Sequence, residues 1–253
     1  MEHEKYILAS DIDNTLTGDP QALKRLKPQL EGLRKQNKLA LFLSTGRRLN
    51  QVIDGFENEE IPSADAIISQ VGTEIYLPPF SVHMKPLAQW ETMLLRHFSR
   101  AKALEFLEGV EGLEIQPDKY NTPLKVSCYL DKAPNPDKAA VLIRQRVADH
   151  RDAYQVVWSS GRDLDIIPAA AGKGKAIRFL IQYLQLSPLR VIVAGDSGND
   201  RSMFDEFDHG IIVNNAQPEL KRLGTENPQP SHYFAQNSFA AGVEEGLKFF
   251  SLL

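Results

Sequence analysis

Short apolar runs that each end in a polar or glycine-rich turn recur along this chain, and they limit its possible folds more than any other feature. Each run has four or five residues, which is typical of strands buried on both faces of a parallel sheet. Several are separated by segments with apolar residues at helical spacing. This alternation predicts an α/β fold with right-handed crossovers. The predicted strands cover residues 6–10, 39–43, 66–69, 191–194 and 210–213, and the predicted helices cover 20–36, 174–186 and 218–223.

The segment between about residues 78 and 168 has a different pattern. It contains predicted helices over 90–109 and 136–150 and predicted strands over 124–130 and 154–159. The first of these strands alternates polar and apolar residues, as in a sheet with one face on a core and the other on solvent or ligand. Prolines flank the segment, where a chain changes direction readily. We predict a core domain of residues 1–80 and 167–253 and an inserted, smaller α+β cap domain over residues 81–166.

Composition narrows the classes of function. The 253 residues are 42% hydrophobic and 25% charged, which is ordinary for a globular protein. Lys and Arg number 29 against 33 acidic residues, so no basic field favours binding of nucleic acid or an anionic membrane. The single cysteine, Cys128, excludes an internal disulfide and indicates a reducing compartment. With no signal-like or membrane-spanning run, we expect a cytoplasmic protein that acts on a small molecule.

Two carboxylates and two hydroxyls fall within residues 11–17, directly after the first predicted strand. Open α/β sheets bind ligands at the carboxyl ends of their strands. Asp11 and Asp13 are two residues apart, so an extended backbone would direct both side chains to one site. Like charges this close require a cation or a shared proton. Taken alone, the segment is also compatible with an Asx-type turn before a helix.

Two further polar segments follow predicted strands. Thr45 and Gly46, after the second strand, supply a hydroxyl and helix N-terminal amides suited to phosphate oxygens. Asp196, Asn199 and Asp200, after the strand over 191–194, add the hard oxygen ligands that Mg²⁺ prefers. Each segment alone is also compatible with a helix cap. The presence of all three at strand ends favours a single site for a metal and a phosphate group.

Lys173 begins a predicted helix between two glycines, a position suited to meeting an anion. A solvated surface lysine is the alternative. A Walker-type ATP loop needs a glycine at 167 or 169 and Ser or Thr after the lysine, whereas this chain has Ile167, Ala169 and Gly174. The segment is therefore not an ATP-binding loop.

In their order along the chain, these four segments resemble the haloacid dehalogenase superfamily: Asp-x-Asp-x-Thr at 11–15, a hydroxyl at the second strand, a lysine, and Gly-Asp-x-x-Asn-Asp at 195–200. The resemblance implies a Rossmann-like parallel-sheet core and a Mg²⁺-dependent phosphatase. In that superfamily the residue at Asp11 attacks phosphorus and forms an aspartyl-phosphate, and the one at Asp13 protonates the leaving oxygen and then activates water. The resemblance also implies phosphoryl binding by Thr45 and Lys173, metal binding by Asp11, Asp196 and the backbone carbonyl of Asp13, and orientation of the metal shell by Asn199 and Asp200.

The predicted insert lies between the second and third motifs, which resembles the cap of the sugar-phosphatase branch. Residues 71–76, 124–129, 159–165 and 215–220 resemble the sucrose-phosphate phosphatases in particular. This implies hydrolysis of sucrose 6-phosphate, with phosphates of mannosylfructose or glucosylglycerol left open as substrates. It also suggests a sucrose-phosphate synthase as a possible partner, and we expect a monomer.

A cap that closes over the core would supply groups that bind sugar hydroxyls. For Lys125 a solvated sheet face is the alternative, and Asp165 is placed at the hinge between cap and core. The predicted substrate-binding residues are Gly46, Arg47, Glu74, Lys125, Ser127, Arg162 and Asp163.

Two other classes of function compete with a phosphatase. Phosphomutases in this superfamily usually carry a cap between the first two motifs, where this chain has only one predicted helix. A catalytically silent sugar-phosphate-binding module would be expected to lack some of the acidic residues, and here every motif residue is present. Both alternatives are therefore disfavoured.

Overall fold

In the computed structural model, the described residues are 5–226, 229 and 231–253, and they form two β-sheets with helices packed around them. Numbered in chain order over both sheets, the strands of the larger sheet are β1 (Tyr6–Ser10), β2 (Leu39–Ser44), β3 (Ala66–Ser69), β4 (Glu74–Tyr76), β9 (Arg190–Gly195), β10 (His209–Ile212) and β11 (His232–Phe234). Their order is β11-β10-β9-β1-β2-β3-β4. All neighbours are parallel except β4, which is antiparallel to β3. The predicted α/β fold is confirmed.

The central strands of this sheet are buried on both faces, so their polar groups appear only at the strand ends. Leu8 and Leu41, paired across β1 and β2, are both fully buried. Ser10, the last residue of β1, lies opposite Leu43 of β2 and Ala194 of β9. The residues that follow these three strands therefore lie side by side at one edge of the sheet, as the sequence predicted.

Seven helices of the described chain lie outside the predicted insert and accompany the larger sheet. The first begins after Asp19, whose carboxylate accepts hydrogen bonds from the backbone N–H groups of Gln21 and Ala22, a common N-cap. It also packs against the last helix. The helices are α1 (Pro20–Lys35), α2 (Leu49–Asn58), α6 (Lys173–Tyr183), α7 (Arg201–Glu206), α8 (Pro218–Lys221), α9 (Leu223–Glu226) and α10 (Phe239–Phe249).

The smaller sheet is antiparallel, and its strands are β5 (Glu114–Ile115), β6 (Val126–Tyr129), β7 (Tyr154–Ser159) and β8 (Asp163–Pro168). Their order is β5-β6-β8-β7. The same part of the chain contains α3 (Ala88–Leu95), α4 (Arg100–Glu105) and α5 (Pro136–Ala148). The predicted strands over 124–130 and 154–159 therefore correspond to β6 and β7.

Three predictions in this region are wrong. The helix expected over 90–109 is two helices, because the Ser99 hydroxyl accepts a hydrogen bond from the Lys102 N–H and starts a new helix. Strands β5 and β8 were not predicted; β5 has only two residues and shows no alternation. Asp165, expected at the hinge, lies within β8 and is paired with Ser127 of β6.

The position of the domain boundary stays a prediction. Helix α3 follows the predicted boundary at residue 80, yet its Trp90 packs on Phe179 of α6, with ring centroids 4.8 Å apart. The indole N–H of Trp90 also donates a hydrogen bond to the carbonyl of Gly72, at 3.1 Å. On these contacts α3 packs with the larger sheet and its helices, although the prediction assigned it to the cap.

The segment that returns from the smaller sheet accepts several hydrogen bonds from one side chain of that sheet. The amide nitrogen of Gln155, on β7, lies 2.9, 3.2 and 2.8 Å from the carbonyl oxygens of Pro168, Ala169 and Ala171. Gly172 follows with a φ of +113°, a conformation that favours glycine. Helix α6 begins at the next residue, so the smaller sheet is connected almost directly to Lys173.

Candidate active site

The predicted site residues of the larger sheet come together at the carboxyl ends of β1, β2 and β9. Asp11 follows β1, Thr45 follows β2, and Asp196 follows β9. All three are buried, as are Lys173 at the start of α6 and Asp200 in a short 3-10 turn. The structure thus places five buried polar groups, from four separate segments of the chain, in one cluster at this edge of the sheet.

Lys173 makes two ion pairs at the centre of this cluster. Its Nζ lies 2.7 Å from Asp11 Oδ1 and 2.5 Å from Asp200 Oδ1, and its side chain has no exposed surface. Burial alone would lower the pKa of Lys173, but the two carboxylates hold that pKa above its usual value. The lysine is therefore a fixed positive charge against Asp11, and the alternative of a solvated surface lysine is excluded.

The carboxylates outnumber this one cation. Burial raises the pKa of Asp11 to about 7, although Lys173 opposes the shift. Burial and the neighbouring Asp200 and Asp11 raise the pKa of Asp196 to about 9. An excess of buried negative charge is the electrostatic environment in which a divalent cation is stabilised.

The donor atoms of the cluster fit a hard metal ion. Asp11, Asp196 and Asp200 each offer a carboxylate oxygen, and these oxygens lie within 4.8 Å of one another. Both oxygens of Asp200 already accept hydrogen bonds, Oδ1 from Lys173 and Oδ2 from the N–H groups of Asp196 and Ser197. Asp200 therefore holds the loop that carries Asp196. Oxygen-only ligands are typical of Mg²⁺ and Ca²⁺ rather than of softer metals.

Asp13 differs from Asp11 in its exposure and its partner. Its side chain is 52% exposed, and Arg47 donates hydrogen bonds to both of its oxygens over 2.7–3.1 Å. Arg47 also pairs with Glu59, at 2.6 and 2.7 Å. Arg47 was predicted to bind substrate, but in this structure its guanidinium is engaged by two carboxylates.

A cavity of about 210 Å³ lies between the buried cluster and the smaller sheet. Its floor includes Asp11, Asp13, Gly46, Asp196 and Asn199. Its opposite wall is formed by residues of the inserted segment and is almost entirely polar. These wall residues are Gln116, Tyr120, Lys125, Ser159, Ser160, Asp163 and Asp165.

The polar wall is held together by hydrogen bonds within the smaller sheet. Asp165 accepts a hydrogen bond from Ser127 Oγ at 2.5 Å and lies 3.6 Å from Lys125 Nζ. Asp163 accepts a hydrogen bond from the side-chain amide of Gln116, at 2.9 Å. Lys125 is buried, so the solvated sheet face considered for it is excluded. A wall of oriented donors and acceptors is suited to a hydroxyl-rich ligand.

Four predicted substrate-binding residues do not line this cavity: Arg47, whose contacts are given above, and Glu74, Arg162 and Ser127. Glu74, on β4, accepts hydrogen bonds from Ser69 Oγ and Tyr76 Oη, both at 2.9 Å, and so supports the sheet edge. Arg162 is half-exposed and its guanidinium lies over the Tyr129 ring, 4.3 Å from its centroid. Ser127 does not line the cavity either, but its hydroxyl donates a hydrogen bond to Asp165, which does.

Sequence reasoning missed Gln116, Tyr120 and Asp165 as members of the site. Asp163 and Asp165 are two residues apart, so a strand prediction over 163–168 would have directed both to the same face. Gln116 and Tyr120 lie in and beside short turns and carry no pattern that would have identified them.

The fold and the site define a haloacid dehalogenase-like phosphatase, a hydrolase of phosphoric monoesters. The chain belongs to the sucrose-6F-phosphate phosphohydrolase family, whose profile matches residues 4–251. It is similar to mannosylfructose-phosphate phosphatase of Agrobacterium fabrum, with 33% identity over 97% of each chain. It also resembles the X-ray structure of the sucrose-phosphatase from Synechocystis sp. in complex with sucrose and phosphate, with a TM-score of 0.89, 33% identity and 98% of each chain covered.

Plant relatives are longer than this chain. Sucrose-phosphatase 1 of Nicotiana tabacum is 31% identical over 98% of this chain, which spans 60% of that protein. Among the described residues, no helix combines the length and the apolar character needed to cross a membrane.

Proposed function

We propose that this protein hydrolyses the phosphate monoester of a disaccharide, with sucrose 6-phosphate as the first candidate. The observation that carries the proposal is the ion pair between buried Lys173 and Asp11, where Asp11 lines the floor of a cavity whose opposite wall is polar. Membership of the family supports a phosphorylated sugar as substrate. The Synechocystis relative, solved with sucrose and phosphate, supports sucrose as that sugar.

In the proposed reaction Asp11 attacks phosphorus, and the bond to the sugar oxygen breaks as Asp13 donates a proton to that oxygen. Water then attacks the aspartyl-phosphate while Asp13 accepts the water proton, which releases phosphate and regenerates Asp11. Protonation matters because a sugar alkoxide is a poor leaving group. Thr45 and Lys173 hold the phosphoryl oxygens, in keeping with the electrostatic demands of phosphoryl transfer.

Mg²⁺ is the cofactor we propose for this site, held by Asp11, Asp196 and the backbone carbonyl of Asp13. When bound, it would neutralise charge on the phosphoryl group. Asn199 and Asp200 are proposed to orient the metal shell. The excess of buried carboxylates over Lys173 supports this assignment.

Binding of Mg²⁺ is expected to tighten as pH rises from about 6 to 9. The raised pKa values of Asp11 and Asp196, about 7 and 9, mean that protons must leave before these oxygens can bind a metal. Calorimetric titration of Mg²⁺ in two buffers of different protonation enthalpy would measure both the affinity and the protons released. A Mg²⁺ affinity that does not change with pH, with no proton release, would contradict the assignment. In an activity assay, chelation of the metal by EDTA is expected to abolish phosphate release.

The same pKa shifts predict how the metal-free protein responds to pH. Because these carboxyls bind protons more tightly in the folded state, they favour folding at low pH. That contribution is lost as pH rises from about 4 through 9. Mg²⁺ should reverse the loss, so the thermal shift that it produces should grow with pH.

Mannosylfructose phosphate is the second candidate substrate. The 33% identity to the Agrobacterium fabrum phosphatase over nearly the whole chain favours it as much as sequence similarity alone favours sucrose 6-phosphate. Both are phosphorylated disaccharides, so the core chemistry would be the same and the polar wall would distinguish them. Glucosylglycerol phosphate is a further candidate substrate, and the same test includes it.

The test is initial-rate phosphate release from these three compounds and from glucose 6-phosphate. We expect sucrose 6-phosphate to lead by about a hundredfold in kcat/KM, equivalent to ~3 kcal/mol of transition-state binding. Lys125→Met should lower kcat/KM for the disaccharide by at least about tenfold, because it removes a buried cation from the polar wall. Equal rates across the panel, or a lead by another sugar, would refute the named substrate.

A matched control separates binding from folding in the Lys125 variant. Lys132 lies in the same inserted segment but is exposed and pairs with Glu114, at 2.5 Å. Lys132→Met should therefore leave the disaccharide rate within about twofold. Equal losses in both variants would contradict a role of Lys125 in sugar binding.

We further propose that the protein acts as a monomer in the cytoplasm and receives its substrate from a sucrose-phosphate synthase. Membership of the sucrose-phosphatase family supports a reaction that follows synthesis of the phosphorylated sugar. Gel filtration at a mass near 28 kDa would agree with a monomer. Elution at twice that mass would refute it.

A further inference from the structure

The feature from which we draw a new inference is the chain of contacts that runs from Glu59 through Arg47 to Asp13. Glu59 follows the C-terminus of α2, and Arg47 precedes that helix. Arg47 Nη1 and Nη2 donate to the two oxygens of Glu59, at 2.6 and 2.7 Å. This parallel pair of hydrogen bonds is the geometry in which arginine holds a carboxylate most firmly.

The other side of the guanidinium engages Asp13 unequally. Asp13 Oδ1 accepts from Nη2 at 2.7 Å and from Nε at 3.1 Å, whereas Oδ2 is contacted only by Nε, at 3.1 Å. Oδ1 therefore accepts two hydrogen bonds from the guanidinium and Oδ2 accepts one, so Oδ2 is the less engaged oxygen of Asp13.

The backbone around Arg47 is held as tightly as its side chain. Its N–H donates to Thr45 Oγ1, and its carbonyl accepts from the N–H of Gln70, both at 3.1 Å. Gly55 provides the space for the side chain, because a Cβ there would lie 3.2 Å from Arg47 Nη1 and 2.5 Å from Ile61 Cδ1. The guanidinium is thus confined by α2 and by Glu59.

Asp13 lies at the boundary between two spaces. It lines the cavity shared with Asp11, and it also lines an outer depression of about 550 Å³ formed with Arg47, Asp54 and Glu59. The ion pairs lie on the outer side. A carboxylate that is half-exposed has several accessible rotamers, so its direction depends on a partner that holds it.

We propose that Arg47 and Glu59 are positioning residues for Asp13: Glu59 restrains the guanidinium, and the guanidinium directs Oδ2 of Asp13 toward the leaving oxygen. The inference rests on the proposed function for the acid role of Asp13. In that step the Asp11 oxygen bonds to phosphorus, the bond from phosphorus to the leaving oxygen breaks, and the proton moves from Asp13 to that oxygen. Arg47 and Glu59 form no bond to the substrate and transfer no proton in this step.

The leaving group of the substrate tests this proposal. An alkyl phosphate needs a proton on its departing oxygen, whereas the p-nitrophenolate of p-nitrophenyl phosphate departs without one. Both substrates also need the later hydrolysis, in which Asp13 accepts the water proton, but kcat/KM reports only the steps up to departure of the leaving group. Misdirection of Asp13 should therefore lower kcat/KM for the alkyl ester more than for the aryl ester, and for the alkyl ester it should lower kcat more than it raises KM.

Glu59→Gln is the informative variant, because it keeps the shape of the side chain and removes its charge. We expect kcat/KM for the alkyl phosphate to fall about tenfold and kcat/KM for the aryl ester to fall less than about threefold. Arg47→Lys, which cannot make paired hydrogen bonds, should show a larger ratio in the same direction. The matched control is Asp54→Asn, since Asp54 lines the same depression and accepts a hydrogen bond from Asn58.

The outcomes separate this inference from the proposed function. Equal losses on both esters, a change in KM alone, or a Glu59→Gln ratio indistinguishable from that of Asp54→Asn would overturn the positioning role. The comparison uses whichever alkyl phosphate the wild-type protein hydrolyses fastest. A different preferred sugar would then refute the proposed substrate, while the ratio of alkyl to aryl rates still decides the role of Arg47 and Glu59.

Discussion

Asp11→Asn is expected to reduce phosphate release by at least about 10⁴-fold, because an amide oxygen cannot replace the carboxylate that we propose attacks phosphorus. The protein should still fold. Burial raises the pKa of Asp11 to about 7, so the charged form is costly there and a neutral side chain of the same shape is tolerated. Lys173 keeps its ion pair with Asp200 in the variant. Initial rates, together with circular dichroism and thermal unfolding, measure both parts of this prediction.

Asp19→Asn is the matched control for this variant. Asp19 lies in the same loop, but its carboxylate caps α1 and does not line the cavity. Asparagine is an equally good N-cap, so activity should stay within about twofold of the wild type. Retention of more than about 1% of activity by Asp11→Asn would show that another group attacks phosphorus.

Lys173→Met is expected to give the largest loss of stability. It would leave Asp11 and Asp200 buried without the cation that both contact in the wild-type protein. Removal of one partner from a buried ion pair costs about 3–5 kcal/mol of unfolding free energy, which corresponds to a fall in Tm of roughly 10 °C for a chain of this size. Calorimetry in EDTA would measure it, and Mg²⁺ should restore part of the loss by binding the same carboxylates.

Two further variants make this prediction specific. Lys175→Met removes the neighbouring lysine of α6, which is exposed and donates to the carbonyl of Ala169, so its Tm should change by less than about 2 °C. Addition of Asp200→Asn to Lys173→Met should recover stability, because it removes one of the unpaired charges. If the two lysine variants were equally stable, the charge balance described for the cluster would be wrong.

The parallel sheet and the core half of the site could be predicted from the sequence because both depend on local patterns. Short buried strands are readable as apolar runs, and the ends of parallel strands meet at one edge. The sequence therefore predicts that Asp11, Thr45 and Asp196 lie together, and all three follow neighbouring strands of the larger sheet. Lys173 was placed at a helix start, which the structure confirms.

The cap half of the site could not be predicted in the same way, because it depends on long-range pairing. Gln116 faces the cavity because its side-chain amide donates a hydrogen bond to Asp163, which is 47 residues away in the sequence. The sequence predicts that Arg47 binds substrate, and it contains no pattern that links Arg47 to Glu59. Val71 lines the cavity with a φ of +61°, and a β-branched residue gives no signal of that conformation.

The side-chain amide of Gln155 makes residues 168–171 mechanically part of the smaller sheet. Gly172 is the first residue beyond these hydrogen bonds, and Lys173, which pairs with Asp11, is the next. A single glycine therefore separates the chain that is hydrogen-bonded to the smaller sheet from the cation of the buried cluster, so the two halves of the candidate site are covalently joined over one residue.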